Sequence, residues 1–286
     1  MKKTVLITGA NSFIAKHLIN KLSINYNIKL LTRSPKAENE YAWDIAKKTL
    51  DEKALDNVDY IVHLAGSKLN DGTPLTEVRK QLVYESRIGA ADLLREKLIE
   101  RKQNITSFVS ASAIGYYGFQ DDELEIDENG KRGIGFGADL SEDWELAADR
   151  FKNDQVAKYV AKIRVSIVLG KDGGIFPVYQ NIVQNDPTSL SKSKQGSVPW
   201  NHVDDMAGIF AFAVENHLDG VFNSVAPNPA SQQDIYKAIS NELKLSPIQE
   251  IHPFSGKHLV ANKIQDAGFQ FKFPTIETAV KDILSN

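Results

Sequence analysis

Three observations predict an α/β chain built on a doubly wound parallel sheet. The run Thr4-Val5-Leu6-Ile7 ends in Thr8-Gly9, and Phe13, Ile14, His17, Leu18, Lys21 and Leu22 then recur at helical spacing. Further short apolar runs lie near 27–32, 58–66, 105–111 and 163–169, and helical patterns fall between some of them. The length, 286 residues, suits one large α/β domain with a smaller lobe. A strand, a glycine turn and a helix make the opening unit of a dinucleotide-binding fold. In that unit a diphosphate rests on free N–H groups at the helix N-terminus.

The turn departs from a full glycine array. In Gly9-Ala10-Asn11-Ser12-Phe13-Ile14-Ala15 only the first glycine of a G-x-x-G-x-x-G pattern remains. Gly9 permits the sharp turn, and Ala is accepted where the third glycine serves helix–strand packing. Ser12 either crowds the place where backbone approaches the pyrophosphate or donates its hydroxyl to a phosphate oxygen. Gly9, Asn11, Ser12, Phe13 and Ile14 are the candidate cofactor contacts of this turn. A Walker phosphate loop is excluded, because no glycine precedes Lys16 and no Ser or Thr follows it.

Composition narrows the class further. A formal net charge of −3 gives no sign of a nucleic-acid or anionic-membrane partner. With no cysteine, disulfides, thiolate metal sites and cysteine nucleophiles are excluded, and no metal site is expected. No apolar run approaches the roughly 20 residues that cross a bilayer. Met1-Lys2-Lys3 ahead of Val5-Leu6-Ile7 faintly mimics a secretion leader, but the apolar part is short and runs straight into the glycine turn. The chain reads as cytoplasmic, and the sequon at Asn104 as without consequence.

Taken in order, the second strand spans 27–32 and ends in Thr32-Arg33-Ser34. An acidic residue after this strand would grip the ribose of NAD, whereas Arg33, with Thr32 and Ser34, suits the 2′-phosphate of NADP(H). Asp44, followed by Ile45, reads either as a cap or turn residue or as an acceptor for the adenine amino group, with Ile45 against the base. The third strand, 58–66, ends in Leu64-Ala65-Gly66, where small residues leave room for a cofactor ribose. His63 reads as structural. A long helix is predicted over 75–101, with Val78, Leu82, Ile88, Ala91, Leu94 and Leu98 as its apolar stripe.

The fourth strand runs into Ser110-Ala111-Ser112-Ala113-Ile114-Gly115-Tyr116-Tyr117-Gly118, a candidate active-site loop. Its hydroxyls suit a substrate carbonyl or alcohol, and a tyrosine suits proton exchange. Residues 121–137 read as an acidic, then glycine-rich, mobile flap. Leu140, Trp144, Ala147, Ala148 and Phe151 mark the next helix, and 163–169 the fifth strand. Phe176-Pro177 opens a short helix, 185–196 is polar, and 221–225 adds another strand.

These pieces resemble the atypical short-chain dehydrogenase/reductases related to extended nucleotide-sugar epimerases and dehydratases, and more narrowly the epimerase-family subgroup. The resemblance is carried by Thr8-Gly9, His63-Leu64-Ala65-Gly66, Glu85-Ser86-Arg87, Ser110 to Gly118, Asp143-Trp144-Glu145, Trp200 to Asp205 and Phe271-Lys272-Phe273-Pro274. It implies a Rossmann-type sheet of about seven strands over 1–169, with 201–227 returning to it. It also implies a small, mostly helical lobe from 170–200 and 228–286, with NADP(H) between the two. By position, Thr32 and Arg33 would meet the 2′-phosphate, and Leu64 and Ala65 would line the cofactor's midsection. Arg87 would stand where relatives carry asparagine, and Ser112 would be the substrate-polarising hydroxyl. Gly66 and Ser110 complete the cofactor set.

The family's Tyr-x-x-x-Lys pair is missing, since none of the nine tyrosines has Lys four residues later. Its place falls near Gly137 and Ser141. A tyrosine at its ordinary pKa of about 10 is roughly one part in a thousand phenolate at pH 7, so an unassisted one is a poor base. Arg87 is the candidate helper for Tyr116 or Tyr117. Three functions follow: an NADP(H)-dependent oxidoreductase or epimerase of a small or nucleotide-linked carbonyl or alcohol, a cofactor-dependent sensor or scaffold, or a binder of another nucleotide. A small-molecule substrate and a homodimer are the expected partners.

Overall fold

The computed structural model describes residues 2–69, 72–118, 125–186, 196–245, 248 and 258–285. The chain begins β1 (Thr4–Thr8), α1 (Phe13–Leu22), β2 (Asn27–Thr32), β3 (Glu40–Asp44), β4 (Thr49–Leu50) and β5 (Tyr60–His63). Helices α2 (Glu77–Tyr84) and α3 (Ala90–Glu100) lead to β6 (Ile105–Ala113), β7 (Glu125–Ile126), α4 (Phe136–Asn153) and β8 (Ala157–Val165). Next come β9 (Ile167–Gly170), β10 (Gly173–Gly174), α5 (Phe176–Asn185), β11 (Ser197–Val198), β12 (Trp200–His202) and α6 (Val203–Glu215). The remainder is β13 (Gly220–Ser224), β14 (Ala230–Ser231), α7 (Gln232–Glu242), β15 (His258–Leu259), α8 (Asn262–Asp266) and α9 (Ile276–Ser285).

The main sheet has the order β13-β8-β6-β5-β1-β2-β3-β4. Every pairing from β13 to β3 is parallel, which gives the seven parallel strands expected, and β4 adds an antiparallel edge. β1 is buried along its whole length, as a central parallel strand covered on both faces must be. From β1 the chain moves outward through β2 and β3, then crosses back to β5 on the other side. That reversal opens a crevice at the carboxyl ends of β1 and β5, where ligands of such sheets bind.

Two hydrophobic cores result. One surrounds the main sheet, from Val5, Leu6 and Ile7 through Phe108, Phe151 and Phe210. The other gathers Phe176, Tyr179, Trp200, Tyr236, Phe273 and Val280 around α5, α7 and α9. Ala261, just before α8, and Ile264 within it pack on the first core.

Four local expectations change. Residues 40–44, for which the sequence gives no strand, form a full strand of the sheet that ends at Asp44. The third apolar run narrows to the four buried residues of β5. Between α2 and α3 the chain makes a π-helical turn at Glu85–Gly89, whose extra residue resets the phase of the buried face. Val78 and Leu82 are therefore exposed, while Val83 is buried alongside Ile88, Ala91, Leu94 and Leu98. The fifth run splits at Ser166, whose hydroxyl donates to the Ser224 carbonyl as the chain leaves the sheet for β9. Positions 121–124 of the expected flap and 187–195 of the polar stretch lie outside the described residues.

Candidate functional site

The crevice is set by Gly9. Its φ of +66° belongs to the left-handed region, and a Cβ there would sit 2.5 Å from the Leu64 carbonyl oxygen. Only glycine lets the end of β1 turn this close against the end of β5. Ser12 is the N-cap of α1, its Oγ accepting from the Ala15 N–H at 3.2 Å, so the side chain folds back on the helix. Its hydroxyl proton remains to donate outward. The first turn of α1 carries no acidic residue, so no carboxylate of its own opposes an anion at this helix N-terminus. Asn11 is exposed on the turn and Ile14 packs on the main core. Phe13 has a packing role that the pattern did not reveal. A Cβ on Gly170 or Gly173 would fall within 2.7 Å of its ring, so those glycines make its seat.

Arg33 follows β2 directly. The Thr32 hydroxyl accepts from the Ser34 N–H at 3.2 Å and so fixes the turn that presents it. Arg33 and Ser34 are exposed, and Arg33 has neither an ion pair nor a side-chain hydrogen bond among the described residues. It borders a cavity of about 450 Å3 shared with Trp43, Asp44 and Ile45. Asp44 Oδ1 also accepts from the Lys47 N–H at 3.1 Å, so its capping role and its place beside this cavity coexist. An unpaired guanidinium beside a slot lined by Trp43, Ile45 and Leu50, with the carboxylates of Asp44 and Asp51, fits the donor set for an adenine ribose bearing an extra phosphate.

Behind the crevice lies a buried relay. Thr8 Oγ1 accepts from the Leu64 and Ala65 N–H groups, each at 3.1 Å, so its one proton goes to His63 Nδ1 at 2.9 Å. His63 is then the neutral tautomer that donates from Nε2 to the Arg87 carbonyl at 3.1 Å. Burial pushes its pKa down to about 4. His202 is likewise lowered to about 4, chiefly by burial. Because both titrate near 6.5 when unfolded, their contribution is complete above that pH and is lost as pH falls towards 4. Each is worth roughly 3 kcal/mol across the window. Urea unfolding should therefore show stability dropping from pH 6.5 to 4.5, and His63→Gln should flatten the slope. An unchanged slope in that variant would contradict the assignment.

Arg87 lies in the π-helical turn. It is 7% exposed, and Nη1 donates to the Val83 carbonyl at 3.1 Å and Nη2 to the Ser67 carbonyl at 3.0 Å. Its guanidinium lies 5.0 Å from the Trp144 ring, and a Cβ on Gly66 would meet it at 2.9 Å. No carboxylate pairs with it among the described residues, and burial lowers its pKa to about 10. Arg87 does not supply the charge beside the tyrosines.

That cation is Arg164 of β8. Its guanidinium lies 3.6 Å from the Tyr116 ring centre, and Nη1 donates to Tyr117 Oη at 2.8 Å. Glu145 of α4 takes Arg164 Nε at 2.8 Å and Nη2 at 3.0 Å, and accepts the Ser112 hydroxyl at 2.7 Å. Tyr117 Oη also lies 2.7 Å from Asn223 Oδ1 and 2.9 Å from the Asp127 carbonyl. Burial pushes the Tyr117 pKa up to about 12, and Glu145 holds Arg164 more firmly charged than usual. Two of the hydroxyls expected to work on substrate, those of Ser112 and Tyr117, are thus held inside a buried network. Ser110 likewise donates to the Ala111 carbonyl within the sheet. The Tyr116 hydroxyl has no hydrogen-bond partner among the described residues.

Gly137 stands at the second position of α4 with only the Gly115 carbonyl within 4 Å of a would-be Cβ, and Ser141 Oγ donates back to the Gly137 carbonyl. A cavity of about 890 Å3 opens there between the two cores. Its flank is fastened rather than loose. The Gly133 N–H donates to the Tyr116 carbonyl at 2.8 Å, β7 pairs with β15, and Arg132 forms ion pairs with Asp139 and Glu142.

Fold and crevice define a two-core protein with a dinucleotide-binding sheet. The NAD dependent epimerase/dehydratase family matches residues 5–133, and a domain of unknown function matches 254–283. The chain is 29% identical over 308 residues to the chloroplastic epimerase family protein SDR39U1 homolog of Arabidopsis thaliana, covering 98% of this chain and 86% of that one. The crystal structure of human epimerase family protein SDR39U1 with NADPH is similar at a TM-score of 0.81 and 25% identity, covering 99% of both chains. A nucleoside-diphosphate sugar epimerase from Corynebacterium glutamicum matches at a TM-score of 0.79 and 25% identity, over 99% of this chain and 58% of that one. Over nearly its whole length the chain is similar to epimerase-family proteins. Among the described residues, no helix is long and apolar enough to cross a membrane.

Proposed function

We propose that this protein binds NADP(H) across the crevice and acts as an oxidoreductase or epimerase on a carbonyl or alcohol. One observation carries the cofactor reading. Arg33, unpaired among the described residues, borders the cavity that also holds Trp43, Asp44 and Ile45. The human relative crystallised with NADPH supports it. Arg33 holds the 2′-phosphate, the α1 N-terminus and Ser12 receive the diphosphate, and Asp44 accepts from the adenine amino group. Leu64 and Ala65, fixed by Thr8, line the middle of the cofactor. The nicotinamide supplies a two-electron hydride donor or acceptor. Calorimetric titration with NADPH, NADH and ATP tests the assignment, and ATP binding more tightly than NADPH would defeat it.

Proton movement falls to Tyr116, the tyrosine of the pair whose hydroxyl is uncommitted among the described residues. Tyr116→Phe should lower NADPH-dependent carbonyl reduction at least tenfold while leaving NADPH affinity unchanged. Tyr117→Phe should instead act on stability, by about 1–3 kcal/mol, because it strands the groups that its hydroxyl satisfies.

A second reading, a cofactor-dependent sensor or scaffold, is favoured by the confinement of Ser112 and Tyr117 in the buried network. Pull-downs with and without NADPH separate the two. Identical partner lists together with NADPH turnover would remove the sensor reading.

A further inference from the structure

We propose that the 890 Å3 cavity between the cores takes an uncharged, predominantly apolar carbonyl compound or alcohol, not a sugar nucleotide. This names the substrate class and rests on the nicotinamide-nucleotide reading above. The cavity wall is built from Ile114, Ile126, Phe136, Ile167, Val198 and Leu259, contributed by separate parts of the chain. No Lys, Arg, Asp or Glu lines it among the described residues, and its one imidazole, His258, lies 3.7 Å from Glu125 Oε1. A diphosphate-linked sugar would bring two negative charges into this wall, and an unpaired charge out of water is strongly disfavoured. The buried cations nearby do not offer themselves. Arg164 is held by Glu145 and Tyr117, and Arg87 is turned to the Val83 and Ser67 carbonyls.

The rim carries a second, independent sign. Ile134 is 93% exposed although it borders the cavity. It sits between Gly133 and Gly135, and the root of this segment is fixed. A Cβ on Gly133 would lie 2.4 Å from the Tyr117 carbonyl, and Gly135 has a φ of +93°. A large apolar side chain held in water at the lip of an apolar cavity gains its partner when an apolar ligand enters. At the inner end, the absence of a side chain on Gly137 leaves the cavity open beside the end of β6. A volume near 890 Å3 falls within the usual range for small-molecule sites.

Benzylacetone and UDP-glucose serve as contrasting probes, titrated calorimetrically into the full chain with and without saturating NADPH. Benzylacetone should bind, and Val198→Asp should weaken it at least tenfold. Ile134→Asp, at a site too exposed to affect folding, should weaken it several-fold while the melting temperature stays unchanged. UDP-glucose should give no binding heat. UDP-glucose binding more tightly than benzylacetone, benzylacetone not binding at all, or its affinity surviving both substitutions would each overturn the proposal. Loss of benzylacetone binding in the variants of a protein that does not bind NADPH would defeat the cofactor reading and leave this assignment standing.

Discussion

Arg33→Ala should weaken NADPH binding about 30-fold or more and change NADH affinity by less than about threefold. A charge-assisted hydrogen bond is worth roughly 1.5–3 kcal/mol, which spans about ten- to 150-fold in affinity. The guanidinium starts with no ion pair among the described residues, so no internal contact need break before it meets a phosphate. Arg33→Lys keeps the charge but loses the planar fork, and an intermediate loss is expected. Because Arg33 is exposed, added salt should erode the NADPH preference of the wild type and leave the Ala variant nearly insensitive. The melting temperature should not move. Equal weakening of NADPH and NADH would show that Arg33 acts through the shape of the β2 turn instead of through the phosphate.

The parts of the site that local chemistry dictates were legible in the sequence. A glycine that must adopt positive φ, a β-branched run before it and an arginine after the second strand each carry their reason within a few residues. The residues that matter through distant partners were harder to read. Arg87 was picked out by position, yet its neighbours Val83 and Ser67 depend on a π-helical turn that apolar spacing does not announce. Ser112 and Tyr117 have the right chemistry for a substrate, but a strand and a helix far along the chain claim them first. A signal for that was present. Lys162 and Arg164 alternate on one face of a largely buried strand, while Glu145 and Asp149 stand four apart on the preceding helix. Two cations at strand spacing and two carboxylates at helix spacing match across the packed layers as Lys162–Asp149 and Arg164–Glu145. Arg164 is hard to single out because apolar residues dominate the strand around it.

That pairing predicts a large effect on stability. Glu145 and Arg164 are 8% and 2% exposed, and the guanidinium is held at both carboxylate oxygens. Arginine cannot shed its charge, so Glu145→Leu leaves a buried cation with the Tyr116 ring, the Tyr117 hydroxyl and the Glu128 carbonyl but no carboxylate. Removing one partner of a buried pair costs about 3–5 kcal/mol. At the roughly 2–4 °C per kcal/mol typical of chains approaching this size, the melting temperature should fall by about ten degrees. Arg164→Met should be comparably damaging, because it strands Glu145 with only the Ser112 hydroxyl. The double variant Glu145→Leu with Arg164→Met should recover much of the loss, since no charge then remains without its partner. NADPH affinity should be unchanged throughout, because Arg33 and the Gly9 turn lie in other elements. Urea unfolding of the four proteins measures the coupling directly, and strictly additive single losses would show that the pair does not act as a unit.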